Sequence, residues 1–207
     1  MADVKISRRE KAARTRAAIV EAAHTEFLER GFHGATVVSI AARAGVASQT
    51  VYFVFHTKAE LISAVIDAAV MGESDLPPEL TDWWREMVAE PDAATSLRMF
   101  VRGAAAAFER AAAISVVLAA AALTDDELMV RHQQHERLRR TGFREVVAGL
   151  ATKGRLREGL DVDGATDILL TVYGDATYHS FRTERGWSED RIVDWLADAL
   201  PRLLLAQ

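Results

Sequence analysis

The stretch that decides the fold runs Ala35-Thr36-Val37-Val38-Ser39-Ile40-Ala41-Ala42-Arg43-Ala44-Gly45-Val46-Ala47-Ser48-Gln49-Thr50-Val51-Tyr52-Phe53-Val54-Phe55-His56-Thr57-Lys58-Ala59-Glu60-Leu61. Val37, Ile40, Ala41 and Ala44 repeat at the spacing of one helical face, Thr36 is a good N-cap, and Gly45 ends the segment. After the turn Gly45-Val46-Ala47, a second short helix is expected from about Ser48 to Phe53. Two helices of about seven residues joined across a Gly-containing turn form the helix-turn-helix pattern, whose second helix enters the DNA major groove. Ile40, Ala41, Val46 and Val51 would lock the pair, Ala41 being small enough for close approach. Ser48, Gln49, Thr50 and Phe53 are left facing outward.

Upstream, Ile19, Ala23 and Phe27 lie on one face of a helix expected from about Arg8 to Arg30 and stopped by Gly31. Downstream, Thr57-Lys58-Ala59-Glu60 reads as a capping box opening a helix over 57–71, with apolar rows Leu61/Val65 and Ile62/Ile66/Ala69. The run Gly72-Glu73-Ser74-Asp75-Leu76-Pro77-Pro78 cannot continue a helix, since each proline lacks an amide hydrogen and restricts its predecessor. A helix-turn-helix head over 1–58, a connecting helix over 57–71 and a helical body over 75–207 are therefore expected. Body helices are expected over 79–90, 92–112, 114–123, 125–153, 164–184 and 188–205. Asp163 and Ser188 are the expected caps of the last two, and Pro201 should kink the final one.

With 50% hydrophobic and 27% charged residues, the 207-residue chain has enough apolar content for a core and is not a disordered sequence. Only 12 glycines and 4 prolines interrupt a background of helix formers, which predicts an all-α fold. The absence of cysteine removes disulfides, thiolate metal sites and cysteine nucleophiles. The basic N-terminus is not followed by an apolar signal core. Ala111–Leu123, interrupted by Ser115, is shorter than the roughly 18 residues of a membrane span and reads as a buried helix. A cytoplasmic location without a membrane partner is the expectation. The net charge of −5 hides an asymmetry: residues 1–58 carry +4 and the remainder −9. Only the head should meet a polyanion, with Arg8, Arg9, Lys11, Arg14 and Arg16 as a phosphate-tracking arm.

The run 35–61 resembles the DNA-binding domain of the TetR family of transcriptional regulators. It matches without a gap from Thr36, through the alanines and the Ala-Gly-Val turn, to the Thr50-x-Tyr52-x-x-Phe55 helix and Lys58. The resemblance implies an N-terminal three-helix DNA-binding domain and a C-terminal helical domain for effector binding and dimerisation. It implies a homodimer reading a palindromic operator in double-stranded DNA, and a small-molecule effector that lowers DNA affinity. Carried over residue by residue, it makes Thr36, Tyr52 and Lys58 phosphate contacts, with Arg43 a further candidate; Gln49 has the groups to read adenine bidentately, and Ser48 and Thr50 share its outward face. Two positions depart from the family. Ala47 stands where a capping Ser is usual, so either Ser48 caps the recognition helix or the cap is lost. Phe53 stands where His or Tyr is frequent; it cannot donate a hydrogen bond and is suited instead to a thymine methyl.

In the body, His132, His135 and Arg139 interrupt an apolar stripe containing Leu128, Phe143, Val146 and Leu150, while Asp175 and His179 form an i, i+4 pair that reads as a buried hydrogen bond. No third metal ligand accompanies the two histidines, and Asp161-Val162-Asp163-Gly164 lacks the spacing and closing Glu of a calcium loop, so no metal or cofactor is expected. Trp83, Phe100, Phe108 and Tyr173 either fill the core or wall an apolar or aromatic effector site oriented by His132, His135 and Asp175. Leu170, Gly174, Thr177 and Phe181, with Ile192, Leu196, Ala199 and Leu203, are the expected dimer stripes. The leading reading is a ligand-responsive repressor, not an enzyme. Its rivals are a helical enzyme using His132, His135, Asp175 or His179 as acid and base, and a constitutive DNA binder without an effector.

Overall fold

The computed structural model describes residues 7–72 and 75–206. Lys5, one of the cations counted in the charge of residues 1–58, and the Glu73-Ser74 pair of the proline boundary lie outside the described residues. Ten α-helices carry the described fold: α1 (Arg8–Gly34), α2 (Val37–Ala44), α3 (Ser48–Val54), α4 (Lys58–Met71), α5 (Asp82–Ala89), α6 (Ala93–Ala122), α7 (Asp126–Lys153), α8 (Val162–Val172), α9 (Asp175–His179) and α10 (Glu189–Leu204). Among the described residues the one β feature is an isolated antiparallel bridge between Leu156 and Leu205. The chain is all-α, with a helix-turn-helix in its N-terminal part and a helical C-terminal part.

The helices form two compact units that are not contiguous in sequence. The first holds the described residues up to Ala68 together with Val117–Arg131; the second holds Ala69–Val116 and the described residues from His132 onward. The division by packing thus differs from one drawn at the prolines, because 117–131 packs with the head. Leu118, Ala121, Ala122 and Leu128 are buried there, and Thr57 on the α4 side donates to Glu127 at 3.1 Å.

In the first unit, the regular part of α1 ends at Gly31, whose φ of 67° is the left-handed conformation glycine adopts without steric cost; one further turn follows. Ile19, Ala22, Ala23 and Phe27 form the buried face. Thr36 caps α2 by accepting from Ser39 N at 3.0 Å, and Gly45 closes it with φ 68°. At α4 the expected reciprocal box is offset. Thr57 accepts from Glu60 N, but the Glu60 carboxylate accepts from His56 N.

In the second unit, α6 runs unbroken through Ala113, where a join was expected. No Gly or Pro stands there to stop it. By length and composition alone α6 could cross a membrane. Its Leu97, Phe100, Val101, Ala104, Ala105, Phe108 and Ala112 instead belong to the core of this unit. The segment 164–184, expected as one helix, instead breaks at Tyr173–Gly174. Tyr173 is fully buried and its hydroxyl donates to the Val101 carbonyl at 2.9 Å, while a Cβ on Gly174 would meet the Leu170 carbonyl oxygen at 2.3 Å. Asp161, not Asp163, caps α8 by accepting from Gly164 N at 2.8 Å; Ser188 caps α10 as expected. Helix α10 continues through Pro201 to Leu204.

Candidate nucleic-acid interface

Helices α2 and α3 are bent by 100° across the Gly45–Ala47 turn, within the range of a helix-turn-helix. Ile40, Ala41 and Val51 are buried and lock the pair; Val46 is half-buried. Gln49, Tyr52 and Phe53 are exposed, with Ser48 and Thr50 half-buried beside them. Ala47 occupies the N-cap of α3 with no side-chain hydrogen bond, so the cap is lost rather than taken over by Ser48. The exposed Arg8, Arg9, Lys11, Arg14 and Arg16 lie on the N-terminal half of α1. Arg16 also lies 4.3 Å above the centre of the Phe55 ring, an attraction between cation and aromatic face.

Three carried-over contacts have internal partners. Thr36 spends its hydroxyl on capping α2. Arg43 donates from Nε to Glu26 at 2.8 Å and from Nη2 to Glu29 at 2.6 Å, tying α2 to α1. Lys58 donates from Nζ to the Phe32 carbonyl at 2.7 Å and the Ala35 carbonyl at 2.9 Å, and lies 4.3 Å over the Phe32 ring. Burial pushes its pKa down, against the pull of Asp125. Its ammonium thus closes the turn that follows Gly31, where α1 has run out of its own donors. Neither Arg43 nor Lys58 is a free surface cation.

Glu26 was not anticipated from sequence, although it falls on the buried face of α1 with Ala22, Ala23 and Phe27. It is 2% exposed, and Arg30 adds an ion pair at 3.2 Å. The Ser39 hydroxyl, then Arg43 and Arg30, hold its pKa below the ordinary 4.5 although burial opposes them. A folded-state pKa below the unfolded one gives stability that is complete above pH 4.5 and lost as pH falls through the folded value. Urea unfolding below pH 4.5 is therefore expected to show a steeper acid loss for the wild type than for Glu26→Gln. Parallel acid limbs would remove Glu26 from the linkage.

In the second unit, Phe100, Phe108 and Tyr173 are buried core residues, with Phe108 and Tyr173 stacked at 4.1 Å; Trp83 is half-buried against them. The Trp83 ring lies on Gly103 so closely that a Cβ there would meet it at 2.2 Å. Asp175 pairs with Arg139, not with His179 as the i, i+4 spacing suggested; the His179 ring contacts Thr183 at 3.4 Å. Burial raises the Asp175 pKa more than Arg139 and Ser115 lower it. His132 and His135 are half-buried on α7. Among the described residues, no three His, Asp or Glu side chains are grouped as metal ligands.

The expected dimer stripes divide. Ile192 and Leu196 are 0% and 1% exposed in the core of their own unit, and Gly174 is also buried, so these three are not available to a partner. The α10 apolar face is wide, comprising Ile192, Val193, Leu196, Ala197, Leu200 and Leu204, and it is spent internally. Leu170, Thr177, Phe181, Ala199 and Leu203 remain half-buried. Trp195, outside the expected stripes, is 40% exposed and joins Phe181 and Trp187 in an aromatic cluster with centroid distances of 4.5 to 6.2 Å.

Residues 19–65 match the family described as bacterial regulatory proteins, tetR family. The HTH-type transcriptional regulator TtgR of Pseudomonas putida is 43% identical over 60 residues, a match spanning 29% of this chain and 29% of that protein. The uncharacterized HTH-type transcriptional regulator YdeS of Bacillus subtilis is 30% identical over 190 residues, covering 89% of this chain and 87% of that one. The crystal structure of NalD, described as the secondary repressor of the MexAB-OprM multidrug efflux pump in Pseudomonas aeruginosa, shares the fold: TM-score 0.69 at 23% identity, over 96% of this chain and 99% of that chain. With the helix-turn-helix matched at one end and the likeness to YdeS sustained along nearly the whole length, the chain belongs to the tetR family of bacterial regulatory proteins.

Proposed function

We propose that the protein is a ligand-responsive transcriptional repressor that binds a palindromic operator as a homodimer in the cytoplasm. The observation that carries this reading is the exposed row Gln49, Tyr52 and Phe53 on α3, whose Val51 is buried and which is followed directly by the buried Phe55, in a unit that also presents the exposed cations of α1. A row so placed has no packing role. The cations and Tyr52 supply contacts to phosphate, and Gln49 and Phe53 supply base contacts. Selection of duplexes from a random pool tests this: a palindromic consensus with half-sites about 34 Å apart is the expected result. Recovery of no duplex above background would sink the proposal.

The dimer face on this reading is the patch of Phe181, Trp187, Trp195, Ala199 and Leu203, with Leu170 and Thr177. Trp195→Glu, placing a charge on the most exposed member, is expected to convert the sedimenting species to one of 22.7 kDa at micromolar protein. A variant that stays dimeric would move the interface elsewhere.

The effector we propose is a small apolar or aromatic molecule bound among the helices of the second unit, with Trp83, Phe100, Phe108 and Tyr173 as walls and His132, His135 and Asp175 as orienting groups. The coupling between effector and operator is about 1 to 3 kcal/mol, and operator must weaken effector binding by the same factor. An effector found by thermal shift should therefore bind less tightly when operator is present. Equal affinities would leave a constitutive DNA binder.

A further inference from the structure

Phe53 is 85% exposed, more than any other large apolar side chain described, yet it stands two residues from Val51 and two from Phe55, each 1% exposed. Its ring neither donates nor accepts a hydrogen bond through ordinary polar atoms. Val38 on α2 is a second bare apolar side chain of the helix-turn-helix, at 68% exposure. Isolated exposed apolar residues are common on proteins, but this one occupies the outward face of the helix proposed to enter the groove.

On the edges of base pairs in the major groove, the one apolar group is the C5 methyl of thymine. We infer that Phe53 reads a thymine in each operator half-site through that methyl, making it a specificity-determining residue. The inference rests on the DNA-binding reading above and adds the base that this position selects. Charge argues for duplex DNA as the occupant of this face rather than a protein: the same unit exposes Arg8, Arg9, Lys11, Arg14 and Arg16, which suit a polyanion.

Gln49 sharpens the expectation. It lies four residues before Phe53 on the same helical face and is also exposed. At 1.5 Å per residue the two are separated by about 6 Å along the helix, and bases on one strand rise about 3.4 Å each. Gln is the side chain that pairs bidentately with adenine. The half-site should therefore contain an adenine and a thymine within about two base pairs of each other.

The test starts from a duplex selected by the wild-type protein and compares it with the same duplex carrying deoxyuridine for each thymine in turn, which deletes only the methyl. One substitution per half-site at the contacted step is expected to weaken wild-type binding about fourfold for a single half-site and about fifteenfold for both, the worth of one buried methyl at each. Phe53→Ala, whose thermal midpoint should match the wild type because the ring packs against little, is expected to bind the thymine and deoxyuridine duplexes equally. This is a double-mutant cycle across the interface. A wild-type protein indifferent to every deoxyuridine overturns the inference while leaving DNA binding intact. So does an undiminished penalty in Phe53→Ala, which would assign the methyl to another side chain. A Phe53→Ala protein unaltered in all DNA binding also overturns it and points to a protein partner for the exposed ring. Recovery of no duplex by the wild type takes down this inference and the DNA-binding reading together.

Discussion

Raising salt from 50 to 200 mM is expected to weaken binding of the selected duplex about a thousandfold. The slope of log affinity against log salt is about −0.9 for each phosphate neutralised, and about six contacts in the proposed dimer, three from each head, would give that loss over a fourfold rise in salt. The contacts must come from cations that the fold has not already engaged. Arg43 and Lys58 bond to carboxylates and carbonyls, whereas Arg8, Arg9, Lys11 and Arg14 are exposed on α1. Lys11→Gln removes one charge from each protomer and should flatten the slope by about 1.8 if each makes one phosphate contact. Arg144→Gln provides the control, because that guanidinium is paired with Asp163 at 2.9 Å in the second unit. A slope near zero, or one that Lys11→Gln leaves unaltered, would take the arm out of the interface.

Which cations were free is where the sequence stopped being informative. Local signals placed α2 and α3 well: Thr36, the Val37/Ile40/Ala41/Ala44 face and Gly45 all act between neighbours, and each is used as spacing suggests. Arg43 meets Glu26 from 17 residues away, and Lys58 meets Phe32 from 26, so neither bond leaves a trace in periodicity. The same limit governs the second unit. The pattern at Ile192 and Leu196 identifies an apolar face but cannot say whether its own core or a second copy covers it. Asp175 has a residue of suitable chemistry four positions on, yet Arg139, 36 positions back, takes it. The break at Gly174 was partly legible, since a Gly-Asp pair inside a helical pattern is also a helix start. The buried Tyr173 hydroxyl, bonded to the Val101 carbonyl across 72 positions, stands at that break and leaves no local signal.

Lys58→Met should lower the stability of the protein by about 2 kcal/mol, a fall in Tm of about 4 to 8 °C for a chain of this length. Met keeps an unbranched apolar stem beside Phe32 but deletes the ammonium that serves the Phe32 and Ala35 carbonyls. Hydrogen bonds from a charged donor contribute about 1.5 to 3 kcal/mol each; the half-exposed position of this lysine reduces the sum, since water reaches part of the site. The loss falls on the turn after Gly31, which joins α1 to the N-cap of α2. Affinity for every duplex should therefore drop alike as the helix-turn-helix loosens, while the salt slope stays at its wild-type value. A phosphate ligand behaves differently: its removal leaves Tm in place and flattens the slope by about 0.9 per contact. Lys58 has three N–H groups and two are bonded to the chain, so a phosphate could reach only the third. A stable Lys58→Met protein with a flattened slope would return Lys58 to the DNA-contacting set. A destabilised protein with an unchanged slope makes it the strut that fixes where α2 begins, and through α2 the attitude of Gln49 and Phe53 in the groove.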